Sequence, residues 1–92
     1  MERFTRETLR RLRNDIDLED LNERVLQLPC KRSEGRFRFL CPQCSEFNSG
    51  INPYTNLARC FRCRKNFNPI DLVMAASGRS FVEAVAFLLS LA

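Results

Sequence analysis

The apolar positions along this chain change period twice. From Phe4 to Arg13, Phe4, Thr8, Leu9 and Leu12 recur at helical spacing beneath a polar face of Arg and Glu, which predicts an amphipathic helix. Asn14 to Asp17 breaks that pattern, and Asp17 is placed to cap a short second helix over Leu18 to Arg24, with Glu19 and Asp20 in its first turn and Leu18, Leu21 and Val25 inward. From Val25 the period shortens. Val25-Leu26-Gln27-Leu28 and Arg36-Phe37-Arg38-Phe39-Leu40 are branched and aromatic runs joined through Glu34-Gly35, the pattern of a β-hairpin. Alternation puts Phe37 and Phe39 on one face of the second run and Arg36 and Arg38 on the other. Further strands are expected at Ser49 to Asn52 and Leu57 to Cys60, flanking the turn Asn52-Pro53-Tyr54-Thr55-Asn56.

The last third returns to helical spacing with explicit start and stop signals. Asn68 can cap a helix that opens on Pro69, whose missing N–H would lack a partner there in any case, and Gly78 suits the left-handed stop. Ser80-Phe81-Val82-Glu83 has the form of a capping box for a final helix. That helix is apolar almost all round, so it is either deeply buried or meets something outside this chain. Phe87, Leu88 and Leu91 would be its anchors on a partner, or on a second copy of the chain. The pattern as a whole predicts one α+β domain over 1–92, with a helical lead-in over 1–24, an antiparallel sheet over 25–67 and a helix pair over 68–92.

The five cysteines change the picture most. A chain of 92 residues buries a small core, and small scaffolds commonly gain stability from a metal or a covalent staple. Cys41-Pro42-Gln43-Cys44 and Cys60-Phe61-Arg62-Cys63 are two C-x2-C pairs with fifteen residues between them. Two such knuckles can turn four thiolates onto one tetrahedral ion, which points to a zinc ribbon holding one structural Zn2+. Tetrahedral sulfur coordination also suits iron–sulfur centres, whereas redox dithiols ordinarily sit in a βαβ context that is lacking here. With four protein ligands the ion has no open position for substrate. Cys30 stands outside both knuckles, where a free thiol in a strand is ordinarily a small core residue. No apolar run reaches the roughly 20 residues of a membrane span, and no secretory leader is expected, so the reducing cytoplasm is the expected compartment.

Charge is segregated. Residues 29–66 carry Lys31, Arg32, Arg36, Arg38, Arg59, Arg62, Arg64 and Lys65 against Glu34 and Glu46, a balance of +6, while each flanking segment carries −1. Four thiolates and a dication would lower the middle to about +4. Together with Tyr54 in its exposed turn, these eight cations are the candidate nucleic-acid contacts, since single-strand binders pair a positive groove with aromatic rings. Phe37, Phe39 and Phe67 are assigned to the core, and Phe61 to packing against the metal site. Histidine is absent, as are a glycine-rich phosphate loop and a close carboxylate pair near the knuckles, so an autonomous enzyme is not expected. The acidic residues of the lead-in, Asp15 to Glu23, fit helix capping and a solvated face.

Taken in order, Gly35-Arg36, Leu40-Cys41-Pro42, Cys60-Phe61-x-Cys63, Pro69-Ile70-Asp71-Leu72-Val73-Met74 and Gly78-x-Ser80-Phe81-x-Glu83-Ala84-Val85 resemble the N-terminal zinc-binding domain of bacterial and phage DnaG-type DNA primases. The resemblance runs from about Asp17 to the end. It implies a zinc ribbon on an antiparallel sheet with helices packed against it, Cys41, Cys44, Cys60 and Cys63 as ligands, and Arg36 and Arg38 near the template-facing sheet. It also implies a domain that reads single-stranded template beside a separate catalytic polymerase domain. Cys44 stands where members of that family usually have histidine, and Arg64, Lys65 and Asn66 stand where they tend to have glycine. Two functions are thus expected: a single-stranded DNA module serving a primase, or an adaptor that docks a replication or mobile-element protein through the last helix.

Overall fold

Thr5 opens the first helix in the computed structural model, which describes residues 4–52 and 54–91, with the side chain of Ser33 left out of that description. The Thr5 hydroxyl accepts from the N–H of Thr8, and helix α1 runs Arg6–Asp15, burying Leu12. Ile16 leaves the helical region, and the Asp17 carboxylate then accepts from the N–H of Glu19 to start α2, Leu18–Asp20. This runs straight into a π-helical turn over Leu21–Val25, closed by the bond from Leu26 N–H to the carbonyl of Leu21 at 2.8 Å. Widening of that turn carries Asn22 into the core. Its side-chain amide finds no hydrogen-bond partner among the described residues.

The strand expected at Val25–Leu28 is therefore not one. Val25 closes the π-helical turn, Gln27 adopts a left-handed φ of 53°, and Leu28 donates back to the carbonyl of Asn22. Val25, Leu26 and Leu28 do pack on the core, as apolar residues should, but from a coiled exit rather than a pleated one. The hairpin forms one step later, from β1 Cys30–Ser33 and β2 Arg36–Phe39. Glu34 and Gly35 both have positive φ, 53° and 74°, as a two-residue type I′ connection requires.

Strands β3 Ser49–Asn52 and β4 Leu57–Cys60 fall where they are expected, on either side of the turn. A fifth strand, β5 Lys65–Phe67, follows the second knuckle and pairs Arg59 with Asn66. Three residues are too few for sequence alternation to reveal it. All pairings are antiparallel and the order is β1-β2-β3-β4-β5, a simple meander.

Helices α3 Pro69–Ser77 and α4 Phe81–Leu91 begin on the caps the sequence carries. Asn68 and Asp71 form a reciprocal capping box, and Gly78 ends α3 at φ 72°. Ser80 and Glu83 repeat the reciprocal bonds at the start of α4, at 2.9 and 3.2 Å. The helices cover one face of the sheet: Phe37, Phe39, Ala58 and Phe67 meet Leu12, Leu18, Ile70, Leu72, Val73, Ala84, Val85 and Leu88 in one core. Asn56, at the end of the β3–β4 turn, ties the layers together. Its amide donates to the carbonyls of Arg13 and Ile16 at 2.8 and 2.6 Å, and its side-chain oxygen accepts from Leu18 N–H at 3.3 Å. The other face of the sheet is left to solvent.

Candidate metal centre and nucleic-acid interface

Each C-x2-C pair folds the same way. Cys41 follows β2 and Cys60 ends β4; the N–H of Ser45 bonds the carbonyl of Cys41 at 3.0 Å, and that of Arg64 bonds the carbonyl of Cys60 at 2.8 Å. Ser45 and Arg64 both take left-handed φ, 59° and 58°, which lets the chain turn away after the second thiol. Inside the knuckles, Gln43 N–H points at Cys41 Sγ at 3.4 Å and Cys63 N–H at Cys60 Sγ at 3.3 Å. The four sulfurs lie within 4.8 Å of one another, with Cys41 to Cys63 at 3.9 Å and Cys44 to Cys60 at 3.5 Å. A tetrahedral ion with metal–sulfur bonds of about 2.3 Å requires sulfur–sulfur edges of about 3.8 Å. The four cysteines therefore meet the geometric demand of a closed four-thiolate metal site.

Their acidities show how strongly the cluster calls for a cation. Burial opposes ionisation of Cys60, but the Cys63 N–H, the Ser49 hydroxyl and the neighbouring thiols outweigh it and pull Cys60 down to about 6. Cys63 is pushed up to about 12, first by its contact with Cys44 and then by burial and the other two thiols. Burial also raises Cys44. One thiolate suppresses the next until a cation compensates them. The Ser49 hydroxyl is fully buried, finds no hydrogen-bond partner at ordinary distance among the described residues, and lies across the β3–β4 ladder from Cys60, whose thiolate it favours.

The open face of the sheet gathers most of the charge. Register aligns Lys31, Arg38, Gly50, Arg59 and Asn66 in one row across all five strands, with Arg36 one pleat away on the same face. Arg59 is held toward β5 by donating to the Asn66 side-chain oxygen at 3.1 Å. None of the five strands contains a carboxylate, and Lys31, Arg36, Arg38 and Arg59 form no ion pair among the described residues. Arg36, Arg38, Gly50, Arg59, Phe61 and Asn66 line a groove of about 580 Å³ that also takes in Glu19 of α2.

The remaining sequence-selected cations divide. Arg32 lies on the helix side of the sheet, its guanidinium 2.9 Å from both Glu19 and Glu23 and 5.1 Å from the Phe37 ring centre. Two carboxylates neutralise it there, so it does not join the open face. Arg62 and Arg64 are exposed around the second knuckle, and Lys65 is exposed at the start of β5. Tyr54 stands 96% exposed at the turn, its N–H bonded to the Asn52 side chain.

Phe61 departs from expectation. Rather than packing on the metal site, it is 58% exposed, with its ring edge over Gly50 on the open face. Gly50, Phe61 and Asn66 are groove residues the sequence did not single out. The one signal for Gly50 was a glycine within an alternating strand.

The last helix differs too. Leu88 is fully buried in the core and so is not free to anchor a partner. Phe87 is half-buried beneath the Arg79 guanidinium at 4.3 Å, and Leu89 and Leu91 are the exposed apolar residues near the end of the helix. No single helix among the described residues is long and apolar enough to cross a membrane.

Comparison with known proteins agrees with the site. A DNA primase of Chlamydia pneumoniae is 32% identical over 87 residues, which is 92% of this chain and 14% of that primase. The chain thus spans about one-seventh of the length of this relative. The family model of the DnaG zinc ribbon, described as the CHC2 zinc finger, matches residues 4–92 and so reaches further toward the N-terminus than the motifs do. On a four-cysteine knuckle pair, a five-strand meander and a match over nearly its full length, the chain belongs to the CHC2 zinc-finger family of DnaG-type primases.

Proposed function

We propose that this chain is the template-holding module of a primase system: it binds single-stranded DNA across the open face of its sheet and presents it to a separate polymerase domain. The observation that carries the reading is the row Lys31, Arg38 and Arg59, with Arg36 beside it, unopposed by any strand carboxylate. A surface built this way offers phosphate contacts without the cost of breaking internal ion pairs. Membership of a primase family and likeness to a protein named as a DNA primase support the same reading.

Zn2+ is the ion the four thiolates of Cys41, Cys44, Cys60 and Cys63 suit best, in keeping with a zinc-finger family. When bound it neutralises crowded thiolates and locks two strand ends together. It supplies no catalysis, because all four positions are taken by protein, and the nucleotidyl transfer belongs to the partner domain. The thiolates require a reducing compartment such as the cytoplasm to stay free of disulfides.

Binding is tested by fluorescence anisotropy of the zinc-loaded chain against labelled single-stranded DNA, duplex DNA and single-stranded RNA over a salt series. Single-stranded DNA is expected to bind best, with a log–log salt slope of roughly −0.7 for each phosphate contact. Arg36→Glu with Arg38→Glu should weaken binding at least tenfold and flatten the slope by about 1.4, at unchanged zinc content. Unaltered affinity in that double variant would remove the sheet face from the function.

A further inference from the structure

Gly50 occupies the centre of the basic row, and nothing in the fold requires a glycine there. Its φ is not in the left-handed region. A methyl group built on it would meet Phe61 Cε2 at 3.7 Å and the Phe37 carbonyl at 3.8 Å, ordinary contact distances. Glycine inside a strand weakens the strand, and where neither backbone nor packing demands one, it marks a place where something else approaches the chain closely.

The surroundings say what approaches. Arg38 and Arg59 flank Gly50 directly in register, so two cationic side chains wall a floor of bare peptide. Phe61 closes one end. Its N–H is fixed to the Asn48 carbonyl at 3.1 Å, and its ring is more than half exposed although many apolar residues of this chain are buried. A ring held in the open beside a glycine floor and two guanidinium groups suits a flat, electron-rich ligand attached to a phosphate.

We infer that Gly50 and Phe61 form a stacking slot for a single nucleobase, with Arg38 and Arg59 on the phosphates to either side. The slot rests on the reading of the open face as a single-strand surface and adds a defined base position to it. The base lies against the Phe61 ring over the Gly50 peptide. Any side chain larger than hydrogen at residue 50 stands in its place. The arginines set affinity for the backbone, and the slot fixes the register of the strand.

The test uses zinc-loaded wild type, Phe61→Ala, Phe61→Tyr, Gly50→Val and Arg38→Glu with Arg59→Glu, against an oligonucleotide carrying 2-aminopurine at successive positions. Stacking on an aromatic ring quenches 2-aminopurine, and loss of one base–aromatic stack corresponds to a roughly 5- to 150-fold weaker complex. Wild type and Phe61→Tyr should quench the probe at a preferred position. Phe61→Ala and Gly50→Val should lose the quench and bind about tenfold or more weakly, with full zinc content as the check on folding. Gly50→Val places a good strand former on an exposed strand position, so its effect is read apart from any unfolding of Phe61→Ala. Wild-type affinity and quenching in both slot variants, alongside weakened binding in the arginine pair, would overturn the slot and leave the single-strand reading standing. Undiminished binding by the arginine pair would overturn both.

Discussion

Ser45 and Arg64 show at the residue scale how much the metal site shapes its own backbone. Each sits one position beyond the second cysteine of a knuckle and takes a left-handed φ that side chains other than glycine and asparagine adopt at a cost. Glycine is the residue that the resemblance places near Arg64, and the geometry gives the reason. A chain that keeps arginine here accepts local strain and gains a cation beside the second knuckle. The thiols carry the residue-scale prediction. At neutral pH, Cys60, near 6, is ionised without metal, whereas Cys63, near 12, and Cys44, raised by burial, keep their protons. Metal uptake at pH 7 must therefore release at least the protons of Cys44 and Cys63, so affinity should rise at least about 100-fold per pH unit near neutrality. Competition titrations with a chromophoric chelator between pH 6 and 8 check this, and a flat profile would show the thiols already ionised. The cysteine spacing was fully legible in sequence. The outward aim of Phe61 was not, because a residue inside a knuckle has no alternation to reveal its side.

At the scale of elements, short-range chemistry predicted best where it is self-contained. Asp17, Asn68 with Pro69, Gly78 and the Ser80–Glu83 pair all perform the capping roles their residue types suggest. In each case the partner lies within four residues, so no distant contact has to be known. Asn68→Ala should therefore cost about 1 to 2 kcal/mol, read as a fall in the denaturation midpoint at unchanged metal content. The Val25–Leu28 stretch failed for the opposite reason. Its branched residues suit a strand, but burial of Leu21 and Val25 with α2 won over local preference, and Pro29 without an N–H delayed pairing to Cys30. β5 was invisible for a related reason, since its pairing depends on the second knuckle returning the chain beside β4. Arg32 shows the limit for charge. Strand alternation separates it from Lys31, and only the packing of α2 and the π-helical turn brings Glu19 and Glu23 within reach.

Across the whole molecule, helices on one side and cations on the other make a two-layer plate with distinct duties. The helical side holds the core, and a metal on the four cysteines would clamp the chain after β2 to the end of β4 at the edge of that core through buried Cys41 and Cys60. A domain of 92 residues has little stability to spare, and structural zinc sites are worth on the order of 10 kcal/mol or more at neutral pH. Chelation is accordingly expected to unfold the sheet and abolish single-strand binding together, seen as loss of circular dichroism and of anisotropy at the same chelator concentration. Retention of the sheet after metal removal would mean that the apolar core alone specifies it.

Sequence by itself determined the four candidate ligands, the caps of the last two helices, the alternation of β2, the positions of β3 and β4, and the concentration of positive charge in the middle of the chain. These depend on residues near one another along the chain, or on a cysteine spacing that lets two knuckles turn four thiols toward one ion. Tertiary structure alone decided which cations of different strands share a face, that Leu88 lies inside, and that Gly50 and Phe61 meet between Arg38 and Arg59. Strand register and helix packing join residues distant in the chain, and a one-residue shift in register would have sent Arg38 and Arg59 to the other face.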